Sequence, residues 1–253
     1  MIRMPTVYAI RLLGTERTAA ANRDLGFALA FVAGAVNACG YLLVERYTSH
    51  LTGAVATIAY GLAGGSLETT VYAVIAVLAF LLGAASCVWI VGVARRRGVV
   101  GAYAWPLLLE ALLLMAFASV AASLPLLDRA LIVATVMLLG FVMGLQNAIT
   151  TKVSNAGIRT THMTGVVTDL GLELGKRIDR FSRAGIRHLL PRQPQRLATL
   201  AGLLGCFVGG GVIGAVGFSY LGFAALTALA TALALFAVLP VAAGRGAPAS
   251  ARR

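Results

Sequence analysis

Charged residues are scarce in this chain, making up 12% of its 253 residues. A water-facing surface needs about twice that share, since soluble domains carry roughly 25%. The shortage excludes an ordinary soluble domain, and the 59% hydrophobic content with a mean hydropathy of +0.88 points to an integral membrane protein. Cysteine is nearly missing too. Cys39, Cys87 and Cys206 all lie inside apolar runs, which argues against a disulfide framework or a CxxC metal site and leaves packing thiols. Acids are few, nine against 21 Lys and Arg, for a net charge of +12. Such an excess can mark a nucleic-acid binder. Here nearly all of it falls between apolar runs, where membrane topology explains it, so no nucleic-acid partner is expected.

The motifs of soluble enzymes are absent as well: there is no Walker loop, dinucleotide fingerprint, GxSxG or HExxH. No catalytic residue, cofactor or metal site is expected, and two distant histidines do not make a metal centre. An intramembrane enzyme acting on a lipid or quinone is the one enzymatic reading left, and the weakest of the readings below.

What the chain does have is a duplication. TSHLTGAV, Thr48 to Val55, recurs as TTHMTGVV, Thr160 to Val167, with His50 and His162 in the same place. Upstream, FVAGAVNA, Phe31 to Ala38, recurs as FVMGLQNA, Phe141 to Ala148, with Phe, Val, Gly, Asn and Ala in register. Two blocks in one order at offsets of 110 and 112 residues define two related halves.

Six stretches are long enough to cross a hydrocarbon layer, which takes roughly 20 apolar residues. They fall at about 25–44, 71–94, 105–124, 130–149, 197–218 and 221–243. Shorter segments at about 51–64 and 163–175 begin at the repeated Thr-Gly. Loop charge decides whether these also cross, because Lys and Arg collect on the cytoplasmic side. With six spans and the N-terminus inside, only Arg46 and Arg129 of the basic residues lie outside. If the short segments crossed, Arg95, Arg96 and Arg97 would move outside and the bias would weaken. Six spans with both termini cytoplasmic is the better fit. Tyr72 and Tyr220 then sit at outer boundaries, and Trp89, Tyr103 and Trp105 near inner ones, as interfacial rings prefer.

Three spans per half is an odd number, so the second half enters from the opposite side. The expected fold is therefore all-α: six transmembrane helices as two inverted three-helix repeats, each with a short helix after its first span. Residues 1–24 form a cytoplasmic N-terminal segment with a short amphipathic stretch around Val7 to Leu13. Residues 25–243 form one membrane domain, with repeats over about 25–124 and 130–243, and 244–253 form a disordered basic tail. VNAC before Cys39 loosely matches a lipoprotein cleavage site, but Asn37 fits it badly and the same block recurs mid-chain. Gly205, Gly209, Gly210, Gly211, Gly214 and Gly217 give the fifth span a small-residue face, and Gly140 and Gly144 do so for the fourth. Both suit close helix packing.

The candidate binding residues come from the repeats. Thr52 and Thr164 suit N-caps, Gly53 and Gly165 allow close backbone approach, and a free helix N-terminus attracts anions. His50 and His162 would add a donor that titrates near neutral pH; the plain alternative is that each pins its short helix by bonding a carbonyl. Asn37 and Asn147, amides within spans, would bond each other or the short segments, or face a solute. Tyr41 shares a helical face with Asn37, and Thr151 is its counterpart after Asn147. Asp169, Glu173 and Glu110 are the proton-coupling candidates. For the first two the plain alternative is interfacial charge, with Glu173 spaced to meet Arg177.

With these motifs in hand, the chain resembles the YoaK-like family of bacterial multi-span inner-membrane proteins of unknown function. The resemblance rests on GAVNACGYLLVERYTSHLTGAV and GLQNAITTKVSNAGIRTTHMTGVVTDLGLELG and spans most of residues 25–240. It implies a compact multi-pass protein of the bacterial plasma membrane and supplies no substrate, cofactor or catalytic residue. Many relatives carry an acid where this chain has Asn37. Two functions follow from the sequence. One is a transporter or channel-like protein for a small solute, an anion among the candidates, bound at the repeat interface. The other is a non-transporting scaffold or stress-related accessory protein whose basic 176–196 loop meets anionic lipid or a partner. The bilayer is the expected partner of either, and a homo-oligomer is compatible with both.

Overall fold

The computed structural model describes residues 18–44, 50–99, 101–123, 129–153, 163–184 and 194–245, and every regular element among them is a helix. The elements are α1 (Ala19–Val44), α2 (Leu51–Ala63), α3 (Leu67–Arg96), α4 (Ala104–Ala121), α5 (Arg129–Val153), α6 (Met163–Ala184), α7 (Pro194–Leu221) and α8 (Phe223–Arg245). Each of the six expected stretches falls on a helix, three of them longer at both ends. Five of them are long and apolar enough to cross a membrane, and Phe223–Leu239 of α8 is a shorter apolar helix beside them. A helix closes its own backbone hydrogen bonds, which is what hydrocarbon demands. The chain reads as a multi-pass membrane protein.

Two parallel helix pairs form the frame. α1 packs on α7 and α3 on α5, each pair joining one half to the other. One short motif makes both contacts. Phe-x-x-Gly stands at Phe31–Gly34, Phe80–Gly83, Phe141–Gly144 and Phe207–Gly210. A methyl group on Gly34 would run into the Phe207 carbonyl, and one on Gly210 into that of Phe31. In the other pair Gly144 meets the Phe80 carbonyl and Gly83 that of Phe141. Each glycine therefore lets the partner backbone in where no side chain would fit, and the exchange is reciprocal. The small-residue face expected on α7 is real only in part. Gly210, Gly211 and Gly214 face α1, whereas nothing lies near Gly205 or Gly209 among the described residues.

The remaining packing runs antiparallel. One apolar cluster joins Leu25 and Leu29 of α1 to Leu145 and Ile149 of α5, and Leu107 and Ala111 of α4 to Leu233 and Ala237 of α8. A second joins Ala33 and Val36 to Val142 and Met143, and Leu114 and Ala118 to Leu226 and Ala230. Rising numbers on one helix meet falling numbers on the other. The starts of α1 and α4 thus share one end of the bundle with the ends of α3, α5 and α8.

Each short helix packs on the next helix of its own half, α2 on α3 and α6 on α7. The less exposed face of α2 carries Leu51, Ala54, Ile58 and Gly61, and that of α6 carries Met163, Val166, Leu170 and Glu173. These are the same four positions of the repeat. α6 is not the short apolar segment expected over 163–175, because it continues to Ala184 over 22 residues. The extension is polar, with Lys176 exposed, so a search for apolar runs stops before it. The α2–α3 and α7–α8 turns each use a glycine with positive φ, Gly65 at 70° and Gly222 at 54°. The segment around Val7 to Leu13 and positions 246–253 of the tail lie outside the described residues.

Candidate functional site

The histidine motif of the first half makes the start of α2. His50 is the N-cap residue (φ −89°, ψ 71°), and its carbonyl accepts the Ala54 N–H at 3.1 Å. Its side chain makes no capping hydrogen bond. The ring folds over the first turn instead, so that a methyl on Gly53 would come within 2.6 Å of Nδ1. The glycine of the motif is thus explained by the histidine three residues before it. The expected N-cap role of Thr52 is corrected, because the helix begins two residues earlier, at Leu51, and Thr52 is its second residue, exposed. Thr164 is likewise the second residue of α6, and it and Gly165 are exposed. His162 lies outside the described residues. What α2 offers is a half-exposed helix N-terminus with free amides and an imidazole beside them.

Asn37 and Asn147 are both buried at 7% exposure. Asn37 follows Val36 of the second apolar cluster, whereas Asn147 lies between Leu145 and Ile149 of the first. The antiparallel register of α1 and α5 puts them on different levels. Asn147 Oδ1 has no hydrogen-bond partner among the described residues. Tyr41 and Thr151 are both exposed.

Asp169 and Glu173 sit in ion pairs. Arg196 at the start of α7 reaches Asp169 at 3.3 Å and Glu173 at 3.9 Å, and Lys176 reaches Glu173 at 2.8 Å. Arg177 is not the partner in these pairs. Three or four residues separate ideal helical neighbours, and Lys176 at three satisfies that spacing as well as Arg177 would. The two pairs with Arg196 tie α6 to α7.

Glu110 has the opposite environment, with no exposed surface at all. Its Oε1 accepts a hydrogen bond from Gln146 Nε2 at 3.0 Å, across from α4 to α5. Gln146, also fully buried, escaped the residue-by-residue reading of the sequence. A signal was there: the aligned blocks FVAGAVNA and FVMGLQNA set Val36 against Gln146, apolar against polar. Close by, the Thr150 hydroxyl donates to the Asn147 carbonyl at 3.0 Å. Cys39 behaves as a packing thiol, its Sγ donating to the Gly214 carbonyl at 3.7 Å.

The groove of about 870 Å³ between α3, α4 and α5 is no home for a polar solute. Its walls are apolar, Leu82, Leu113, Phe117, Met137 and Phe141 among them. Among the described residues no three His, Cys, Asp or Glu side chains gather as a metal would require.

No curated protein matches the chain, and no solved structure does. One family does, over residues 25–239 and so nearly the whole helical domain. The chain belongs to the family described as "Protein of unknown function (DUF1275)".

Proposed function

We propose that this chain is a transporter or channel-like protein for a small solute, with an anion as the first candidate, in the bacterial plasma membrane. In this reading six spans form two inverted three-helix repeats with both termini cytoplasmic, as the repeated motifs and the loop charge imply. The observation that carries it is the reciprocal frame. The first span of each half exchanges Phe-x-x-Gly contacts with the second span of the other, while α1 and α5 run antiparallel. Transporters with inverted repeats bind solute near the midplane, beside helices that stop short of crossing. α2 suits that role. Gly61 lies against Thr70 and the face from Leu51 onward follows α3. His50 therefore sits about 20 Å along α3 from the α2–α3 turn, at 1.5 Å per residue.

The solute would meet the helix N-termini at His50, Thr52 and Gly53 and at His162, Thr164 and Gly165, with Asn37 and Asn147 on the walls. Asp169, Glu173 and Glu110 are the candidates for proton coupling, and rocking of one half against the other would give alternating access. The test is anion flux into proteoliposomes holding the purified chain. His50→Ala and His162→Ala should each abolish flux with folded protein retained. Undiminished flux in both variants would overturn the assignment. Single cysteines at 50 and 162 should label from opposite faces of the membrane; labelling from one face would refute the inverted arrangement.

A second reading is favoured by α6, whose exposed polar side carries Lys176 and leads into the basic 176–196 stretch. An accessory or scaffold protein would use it to hold anionic lipid, at about 1 kcal/mol per basic residue near the surface. Deleting residues 185–193 separates the two readings: a transporter keeps its flux, and an accessory protein loses its anionic-lipid retention.

A further inference from the structure

We infer that Glu110 of the first half and Gln146 of the second together form a binding site for a single proton, one that the repeat does not duplicate. Two observations meet here. Both side chains are completely buried, and one hydrogen bond, Gln146 Nε2 to Glu110 Oε1 at 3.0 Å, joins them. The other two oxygens, Glu110 Oε2 and Gln146 Oε1, have no partner among the described residues. Buried polar atoms seldom stay unpaired, because each costs about 1–3 kcal/mol. Both orphans are acceptors, so what the site lacks is a donor.

A proton supplies it most simply. Bound to Oε2, it makes that oxygen a donor, and Gln146 Oε1 is the free acceptor on the side chain already held alongside. Carboxyl and amide would then be joined by two hydrogen bonds, a planar acid–amide pair. Release of the proton returns the carboxylate and breaks the second bond, with no other change of atoms. A metal cation fits less well. Hard cations take about six oxygen ligands, and the neighbouring Leu107, Ala111, Leu145 and Ile149 side chains offer none.

The charged and titratable groups around the pair are few. On α3, the buried Cys87 lies in the same apolar cluster as Leu107 and Ala111. Lys152 is exposed near the end of α5, and Arg95 of α3 is held by the Tyr103 hydroxyl at 2.8 Å. On α1, Arg23 and Asp24 pair with each other at 3.3 Å. The face of α8 in this cluster is apolar, with Leu233 and Ala237. None of these supplies the missing donor to Oε2 or Oε1.

Position in the repeat adds the second argument. Val36 holds the place of Gln146 in the first half and is buried among apolar side chains. A purely architectural demand would have been met by the same residue type in both copies. The polar pair therefore serves something that the frame does not require.

This inference concerns proton binding and does not rest on transport; if the transport reading holds, the pair is its coupling site. The experiment is infrared difference spectroscopy of the full chain in liposomes, titrated through pH in sodium and in potassium buffers. The expected result is a carboxylic-acid C=O band that comes and goes with pH, vanishes in Glu110→Gln and persists in Gln146→Leu at a shifted frequency. Its midpoint in Gln146→Leu should move by about one pH unit, a tenfold change in proton affinity. A spectrum unchanged by Glu110→Gln overturns the proposal. So does a midpoint that moves between sodium and potassium buffers, which would make the occupant a metal cation. Flux lost in His50→Ala with the band intact leaves the proton site standing, and flux without the band leaves transport standing.

Discussion

The two halves share a frame and differ in what they put on it. Four Phe-x-x-Gly contacts are the same in kind on both sides, and the four inward positions of α2 and α6 correspond one to one. The crossing point of short and long helix is handled differently. In the first half it is a bare contact, Gly61 against Thr70. In the second, Glu173 stands where Gly61 does and reaches Arg196. The same substitution of polar for apolar separates Gln146 from Val36. Backbone contact is thus the shared element, and Gln146 and Glu173 are polar additions of the second copy.

The largest effect should come from attacking what is shared. Gly34→Leu and Gly144→Leu each drive a side chain into a partner carbonyl, and overpacking a tight contact costs about 1–3 kcal/mol or more. Both should lower the melting temperature of the detergent-purified protein by similar amounts, whereas Gly205→Leu and Gly209→Leu leave it unchanged. Unequal losses from the first two would break the equivalence of the halves.

Gly61→Ala comes next. An added methyl would press on the Thr70 hydroxyl, so α2 should loosen from α3 and its amides should exchange faster with deuterium. Smaller still is Arg196→Gln, which removes exposed ion pairs worth about 0.2–1 kcal/mol each. Here α6 should gain a modest exchange rate that salt reproduces in the parent protein. Should Arg196→Gln prove as damaging as Gly61→Ala, the ion pairs would be holding α6 as firmly as close packing holds α2. The smallest change is expected from Lys176→Gln, seen only as weaker retention of anionic lipid in nanodiscs.

Much of this was legible in the residues. The duplication, the helices on the six apolar stretches and the short helix α2 follow from repeated blocks and apolar length. The partner motifs on α3 and α7 were not, because only Phe and Gly survive between FLLG and FVGG. Two residues are too few to recognise until the helices are seen side by side. The cap was misread because threonine is a better capping residue than histidine by propensity, yet the chain starts α2 at Leu51. Arg196 lies 23 and 27 residues from its acidic partners, beyond the reach of helical spacing. Gln146 could have been found, since it breaks the alternation of a block that is otherwise matched in kind.

The crossed arrangement of the frame has a consequence for how such a chain can come apart. Neither half keeps its own glycine notches filled: Gly34 needs Phe207, and Gly83 needs Phe141. A fragment ending before residue 124 would present two open backbone furrows to lipid, and only another fragment with the same spacing could close them. Split between α4 and α5 and expressed as two pieces, the protein should reassemble by mutual insertion, and a lone piece should pair with its own twin.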